Sequence, residues 1–224
     1  MNSWKTGSVS GISHLGKSDQ RSMPENIRPV PLTQIAHSIA DNFFTASSFA
    51  IDATVGNGHD TMFLAKGLGP SGRVHGFDIQ ADAITSTREI LDAEGLLSRT
   101  VLHNIGHQRM SEVLPQEMER STGLIFFNLG YLPGGDKSVT TLLSTTLDAL
   151  AIAWQEYLSL DGLLSIMAYP GHPTGKTEAE GVVNWLGSLE DAQIYSIPSP
   201  GPTLYLLHHE NTQLREIMEA TGIF

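Results

Sequence analysis

The chain has 224 residues, of which 40% are hydrophobic and 17% charged, with a formal net charge of −11 and no cysteine. That length suits one well-buried domain rather than two; no apolar run reaches the roughly 18 residues that a membrane span needs, and the lack of thiols excludes disulfides, thiolate zinc sites and a cysteine nucleophile. An acidic balance with scattered Lys and Arg is awkward for a protein that grips nucleic acid mainly through phosphates, so such a partner would require a local basic patch.

Residues 1–28 are rich in Ser, Gly and polar groups without periodicity and read as a flexible leader, with no apolar core of signal-peptide length, which points to the cytoplasm. Residues 29–224 read as the single domain. Pro29 and Pro31 set up a helix start, and Leu32, Ile35, Ala36, Ile39, Ala40 and Phe43 recur at helical spacing as far as about Ala46. SFAIDA then reads as a strand, VGNGHD as a glycine turn, and the residues through Phe63 and Leu64 as a short helix. RVHGFDI is a second strand, and QADAITSTREILDAEG a second helix of this alternation, closed by Gly95. RTVLHN is a third strand, MSEVLPQEMER a helix interrupted by Pro115, and GLIFFNL a fourth strand. A long helix is expected over residues 139–158, strand LLSIMAY next, a helix over 176–189, and two final strands, AQIYSI and TLYLLHHE.

Repeated strand–helix alternation calls for a mostly parallel sheet with helices on both faces, because a parallel connection needs a crossover. The closing pair, separated only by PSPGP, can form a hairpin, so the last strand is expected to enter antiparallel. The fold class is therefore α/β, a doubly wound and mostly parallel seven-stranded sheet of Rossmann-like type.

In such sheets ligands sit beyond the carboxyl ends of the strands, where the strand order reverses. At the first such exit the chain reads Asp52-Ala53-Thr54-Val55-Gly56-Asn57-Gly58-His59-Asp60-Thr61, and two glycines there allow a tight turn and close approach of a ligand to bare main chain. The second strand ends at Asp78, whose carboxylate can accept hydrogen bonds from vicinal ribose hydroxyls. A dinucleotide prefers a third glycine where Thr61 stands, and Asp60 at the helix start would repel a pyrophosphate. S-adenosylmethionine carries an ammonium and a sulfonium, so Asp52 and Asp60 shift the balance toward it.

The fourth strand delivers Asn128 to the same rim. Its carbonyl oxygen can accept a hydrogen bond from an attacking amine and help aim the nitrogen lone pair. Tyr131 can wall the pocket, Asp136 and Lys137 can cap the next helix or touch substrate, and YPGHPTGK brings Tyr169 and His172 toward the same cleft after the fifth strand. The arrangement resembles the N-P-P-Y loop of amino-methyltransferases, with Leu129-Gly130 in place of the prolines.

The segments DATVGNGHDTMFLA, GRVHGFDIQADAI, FFNLGYLPGGDKSVTT and MAYPGHPTGKTEAEGV, in this order, are similar to the YtqB/MnmM family, also called rRNA-methylase-like. The resemblance covers about residues 30–210; Val55, and Gly106 before His107, depart from the family pattern. It implies a class I S-adenosylmethionine-dependent methyltransferase that methylates the aminomethyl group of a modified wobble uridine in the tRNA anticodon loop, giving 5-methylaminomethyl-2-thiouridine. The candidate cofactor-binding residues are then Asp52, Thr54, Gly56, Asn57, Gly58, Asp60, Thr61, Asp78, Ile79, Gln80, Gly106, His107 and Asn128. The candidate catalytic residues are Asn128, Tyr131, Tyr169, His172 and Asp136, the last three including the groups that could take the proton of the amine. Lys137, Lys176 and Arg109 are candidate RNA contacts, on a basic rim local to one chain or completed across a homodimer. No metal or membrane is expected, and His103, His208 and His209 read as structural. Two other readings stay open at this level: a methyltransferase of small amines or other metabolites, which the acidic balance suits, and a nicotinamide-dependent oxidoreductase or nucleotide sensor.

Overall fold

Seven apolar segments pair into one sheet in the computed structural model, which describes residues 30–46, 48–131, 134, 139–171, 173–209, 216, 217 and 220. The leader assigned to residues 1–28 lies outside the described residues. The strands are β1 (Phe49–Asp52), β2 (Arg73–Phe77), β3 (Thr100–His103), β4 (Thr122–Asn128), β5 (Leu158–Ala168), β6 (Ala192–Pro198) and β7 (Thr203–His209). Their order across the sheet is β3-β2-β1-β4-β5-β7-β6. The first five run parallel, while β7 pairs antiparallel with both β5 and β6. The expected antiparallel final strand is thus present.

Helices cover both faces: α1 (Leu32–Ala40), α2 (His59–Gly67), α3 (Ala81–Ala93), α4 (Leu143–Ile152) and α5 (Pro173–Gly187). One core joins Leu32, Ile39, Leu64 and Leu91 to Leu124 and Phe126 of β4; the other joins Met110, Leu150, Val182 and Leu186 to Ile125 and Phe127. Successive β4 side chains therefore point into opposite cores, which is why GLIFF is continuously apolar instead of alternating. Full burial of each such side chain contributes about 1.5–3 kcal/mol, enough to fix the register that carries Asn128 to the sheet's carboxyl edge.

Several boundaries differ from the sequence reading. The first helix stops at Ala40 and tightens to a 3₁₀ segment over Asp41–Ala46, because Asn42 Nδ2 donates to the carbonyls of Ser38 and Ile39 and competes with the helical ladder. The stretch around Pro115 is two short 3₁₀ turns, His107–Glu112 and Gln116–Met118, since Pro115 has no N–H to give. The long helix expected over 139–158 begins only at Leu143. Thr140 instead bridges to Tyr131, and Thr141 N–H donates to the Gly130 carbonyl. That helix closes in a π turn, Ala153–Tyr157, and β5 starts at once at Leu158, five residues before the expected strand. No helix among the described residues is long and apolar enough to cross a membrane.

Candidate functional site

The glycine turn leaves β1 between its two neighbours: Ala53 N–H donates to Phe126 O and Val55 N–H to Phe77 O, at 2.8 and 3.0 Å. Gly56 and Gly58 then adopt φ of +50° and +76°. A Cβ at Gly58 would also lie 2.6 Å from Thr87 Oγ1, so both the conformation and the packing demand glycine there. Asp52 is fully buried beneath the turn; it accepts from Thr54 N–H at 3.1 Å and from the Thr61 hydroxyl at 2.5 Å. Burial, reinforced by the charge of nearby Asp60, pushes its carboxyl up to about 7. Asp52, Gly58 and Thr61, expected to touch a cofactor, do not line the cleft; they brace the turn from below, and Thr61 replaces a third glycine because its hydroxyl serves Asp52.

Asp78 stands just past β2 with each oxygen accepting one backbone N–H: Oδ2 from Gly56 at 2.9 Å, Oδ1 from Gln80 at 2.8 Å. The carboxylate thus ties the glycine turn to the loop after β2 and keeps further lone-pair capacity. Ile79, 59% exposed, lies beside it on the cleft wall. Gly106 and His107 also line the cleft; His107 is buried, bonds through Nδ1 to Ala53 O at 3.1 Å, and burial lowers its pKa, so the ring is neutral.

Asn128 ends β4, and its backbone N–H donates to Thr54 Oγ1 at 2.6 Å. Its side-chain Nδ2 donates to Asp60 Oδ2, and Asp60 Oδ1 meets His37 Nε2 at 2.6 Å. One carboxylate on α2 therefore joins a histidine on α1 to the amide on β4. Past Asn128, Gly130 N–H donates to Thr141 Oγ1 at 2.8 Å, and the Thr141 and Thr146 hydroxyls donate to buried Glu178 on α5 at 2.7 and 2.6 Å. Glu178 thereby fastens the end of the Asn128 loop to the helix behind it. Tyr131 and Tyr169 both face the cleft and are each 38% exposed. Burial and the proximity of Asp60 raise the Tyr169 phenol above its ordinary value.

The cleft encloses about 760 Å³ and runs from the glycine turn and Asp78, past Asn128, to Thr33, Gln34 and His37 of α1 and Leu142 of the loop before α4. That volume lies within the range of small-molecule and cofactor sites, roughly 300–1,000 Å³. No Lys or Arg appears among its described lining residues, while Asp60 and Asp78 do. Arg109 is exposed and doubly bonded to Glu112, and Lys176 is exposed 4.0 Å from Glu180; neither lines the cleft. Asp136, Lys137 and His172 lie outside the described residues. His103 stays in β3 against His75, and His208 and His209 in β7, none of them in the cleft lining.

The sequence reading passed over His37, Gln34, Thr33 and Glu178. The first three did leave a signal, since with Ser38 they form the polar face of an amphipathic helix, at i, i+1, i+4 and i+5. Glu178 left none, because a glutamate in a helix reads as surface until the fold buries it.

Comparison with known proteins places the site in context. Residues 74–199, more than half of the chain, match the family model described as "Putative rRNA methylase". A curated Arabidopsis thaliana protein, "tRNA (mnm(5)s(2)U34)-methyltransferase, chloroplastic", is 42% identical over 164 residues, 70% of this chain and 58% of that protein. The chain therefore spans somewhat over half the length of that relative. A "putative rRNA-methylase" from Clostridium thermocellum superposes with a TM-score of 0.75 at 32% identity, covering 82% of this chain and 100% of that one. A "putative methyltransferase" from Streptococcus mutans, solved in complex with SAH, superposes with a TM-score of 0.70 at 28% identity, covering 81% of this chain and 99% of that one.

Proposed function

Because the chain belongs to the family described as "Putative rRNA methylase", we propose that it is an S-adenosylmethionine-dependent N-methyltransferase acting on the aminomethyl group of a modified wobble uridine in tRNA. One observation carries this reading: the carboxylate of Asp78 and the amide of Asn128 face a single cleft at the carboxyl edge of the sheet. The Arabidopsis relative's named activity and the SAH in the Streptococcus structure support it.

The rim residues fit that methyl donor. Asp78 retains lone pairs for vicinal ribose hydroxyls, Ile79 offers an apolar face for a base, and a described lining without Lys or Arg suits a group with no phosphate to neutralise. The neutral ring of His107 on the cleft wall adds no positive charge to oppose a cationic donor. When bound, S-adenosylmethionine supplies a methyl group on a positively charged sulfur.

The acceptor's chemistry falls to this chain's own groups. A primary alkylamine has a pKa near 10, and only its neutral form has a lone pair to attack with. Asn128 Oδ1 is suited to accept one amine N–H and so orient the nitrogen. Tyr169 was a candidate for taking the proton, but its raised pKa keeps the phenol protonated at neutral pH. It serves as a wall and a hydrogen-bond donor, which leaves His172 and Asp136 as the proposed proton acceptors. Tyr131, part-exposed on the cleft lining, is suited to stack on a planar base.

A second reading, methylation of a small free amine, is favoured by the net charge of −11 and the absence of Lys and Arg from the described lining. Transfer of labelled methyl into bulk tRNA lacking the modification, with nucleosides resolved by mass spectrometry, separates the two. Label in 5-methylaminomethyl-2-thiouridine supports the tRNA reading; label only in a free-amine pool overturns it. The tRNA reading also requires a basic rim, which Lys137 can supply in one chain or a homodimer can complete, and it places the protein with its tRNA, for this chain in the cytoplasm.

A further inference from the structure

Asp60 is 8% exposed on the first turn of α2, and both its oxygens are engaged: Oδ2 by Asn128 Nδ2–H, Oδ1 by His37 Nε2 at 2.6 Å. The two ends of a primary amide are chemically opposite, because its nitrogen only donates and its oxygen only accepts. As a carboxylate, Asp60 only accepts, so it selects the rotamer of Asn128 that turns Nδ2 toward α2. Oδ1 is then the end left for an incoming N–H. In the flipped rotamer Nδ2–H would donate to the very lone pair that has to attack, and would mask the nucleophile. The carboxylate is itself steadied, since the His37 ring stacks on Phe63 with centroids 3.8 Å apart and planes within 2°. The Asn128 main chain is held independently by Thr54.

We propose that Asp60, held by His37, is a positioning residue that fixes the amide of Asn128 in its hydrogen-accepting orientation toward the acceptor nitrogen. This rests on the methyltransferase reading for its consequence, though the orientation itself can be read without turnover. It also departs from the sequence-level expectation that Asp60 binds the cofactor.

The test compares Asp60→Ala with Asp60→Asn. An asparagine can keep both contacts, its Oδ1 accepting from Asn128 and its Nδ2 donating to a neutral His37; alanine can keep neither. In cofactor-free ¹⁵N-labelled protein, the Asn128 side-chain amide, assigned by its loss in Asn128→Ala, should show one downfield, slowly exchanging proton. That signature should persist in Asp60→Asn and revert to the range of free amides in Asp60→Ala. In turnover, Asp60→Ala should lower kcat about 10- to 100-fold, the loss expected for one charge-assisted hydrogen bond, with the Kd for S-adenosylhomocysteine within about 3-fold of the parent, and Asp60→Asn should restore most of kcat. Should the alanine variant fail to fold, Asp60→Ser, whose hydroxyl suits a helix start, takes its place. An Asn128 resonance indifferent to Asp60→Ala, a parallel loss of cofactor affinity, or equal damage in Asp60→Asn would each overturn the inference. A wild-type protein that fails to methylate tRNA while its amide responds as described would instead sink the tRNA reading and leave the orientation by Asp60 standing.

Discussion

Replacing Asp78 by alanine separates two jobs that the structure gives to one carboxylate. Inside the protein, Asp78 accepts Gly56 N–H at 2.9 Å and Gln80 N–H at 2.8 Å. Both donors sit at a half-exposed rim where water can replace the carboxylate, so each bond is worth about 1 kcal/mol, near the middle of the usual net range. The expected loss is about 2 kcal/mol of stability, or roughly 4–8 °C in Tm for a domain of this size. Toward the ligand, two charge-assisted bonds to ribose hydroxyls at about 1.5 kcal/mol each give about 3 kcal/mol, or roughly 150-fold in Kd. Calorimetric titration with S-adenosylhomocysteine measures the second effect, and thermal unfolding without ligand the first. A fall in Tm with the Kd within about 3-fold of the parent would refute the reasoning, because the carboxylate would then brace the turn without holding a sugar.

The remaining predictions test other parts of the same site. Asn128→Ala should slow methyl transfer by about 100-fold, the order expected for loss of an orienting group, while S-adenosylhomocysteine binding changes little; single-turnover rates and titration together decide. Glu178→Ala removes the acceptor of the Thr141 and Thr146 hydroxyls and should lower Tm and raise KM for the acceptor more than it lowers kcat; a change in Tm alone would confine Glu178 to packing. Asp52 predicts a pH effect. Its carboxyl ionises at about 7 in the folded protein and near 4 in the unfolded chain, so between those values the folded state holds a proton that the unfolded state lacks. The resulting stability is full below about pH 4, falls as pH rises, and is gone above about pH 7. From pH 5.5 to 7.5 wild-type protein should lose about 2 kcal/mol relative to Asp52→Asn, measured by urea unfolding at both pH values. His75 and His208, each lowered by burial to about 4, pull the other way below pH 6.5, but equally in both proteins. Equal slopes for the two proteins would show that Asp52 ionises normally.

Much of the architecture was legible because two periodicities survive in the chain. Continuous apolar runs such as GLIFF marked strands buried on both faces, and the spacing of Leu32, Ala36, Ile39 and Ala40 marked the first helix. Boundaries failed where a local competitor outweighed propensity: Asn42 taking helix carbonyls, Pro115 lacking a donor, and Thr140 and Thr141 pairing with the Asn128 loop. Asp78 and Asn128 could be placed on one rim from the sequence because Asp78 follows β2 and Asn128 ends β4, and strand ends in a parallel sheet share one edge.

The sequence by itself determined the sheet, the rim on which ligand groups gather, and the pair of side chains most suited to donor and acceptor, since these follow from hydrophobic pattern and from residues close along the chain. Only the tertiary structure decided which acid does what. Asp52 and Asp60 are alike on paper, yet one is sealed under the turn by Thr61 and the other is shared between His37 and Asn128, while Asp78 remains at the open rim. Desolvation and hydrogen-bond partners set the role of a carboxylate, and the partners that separate these three include side chains as far as 68 residues away in sequence.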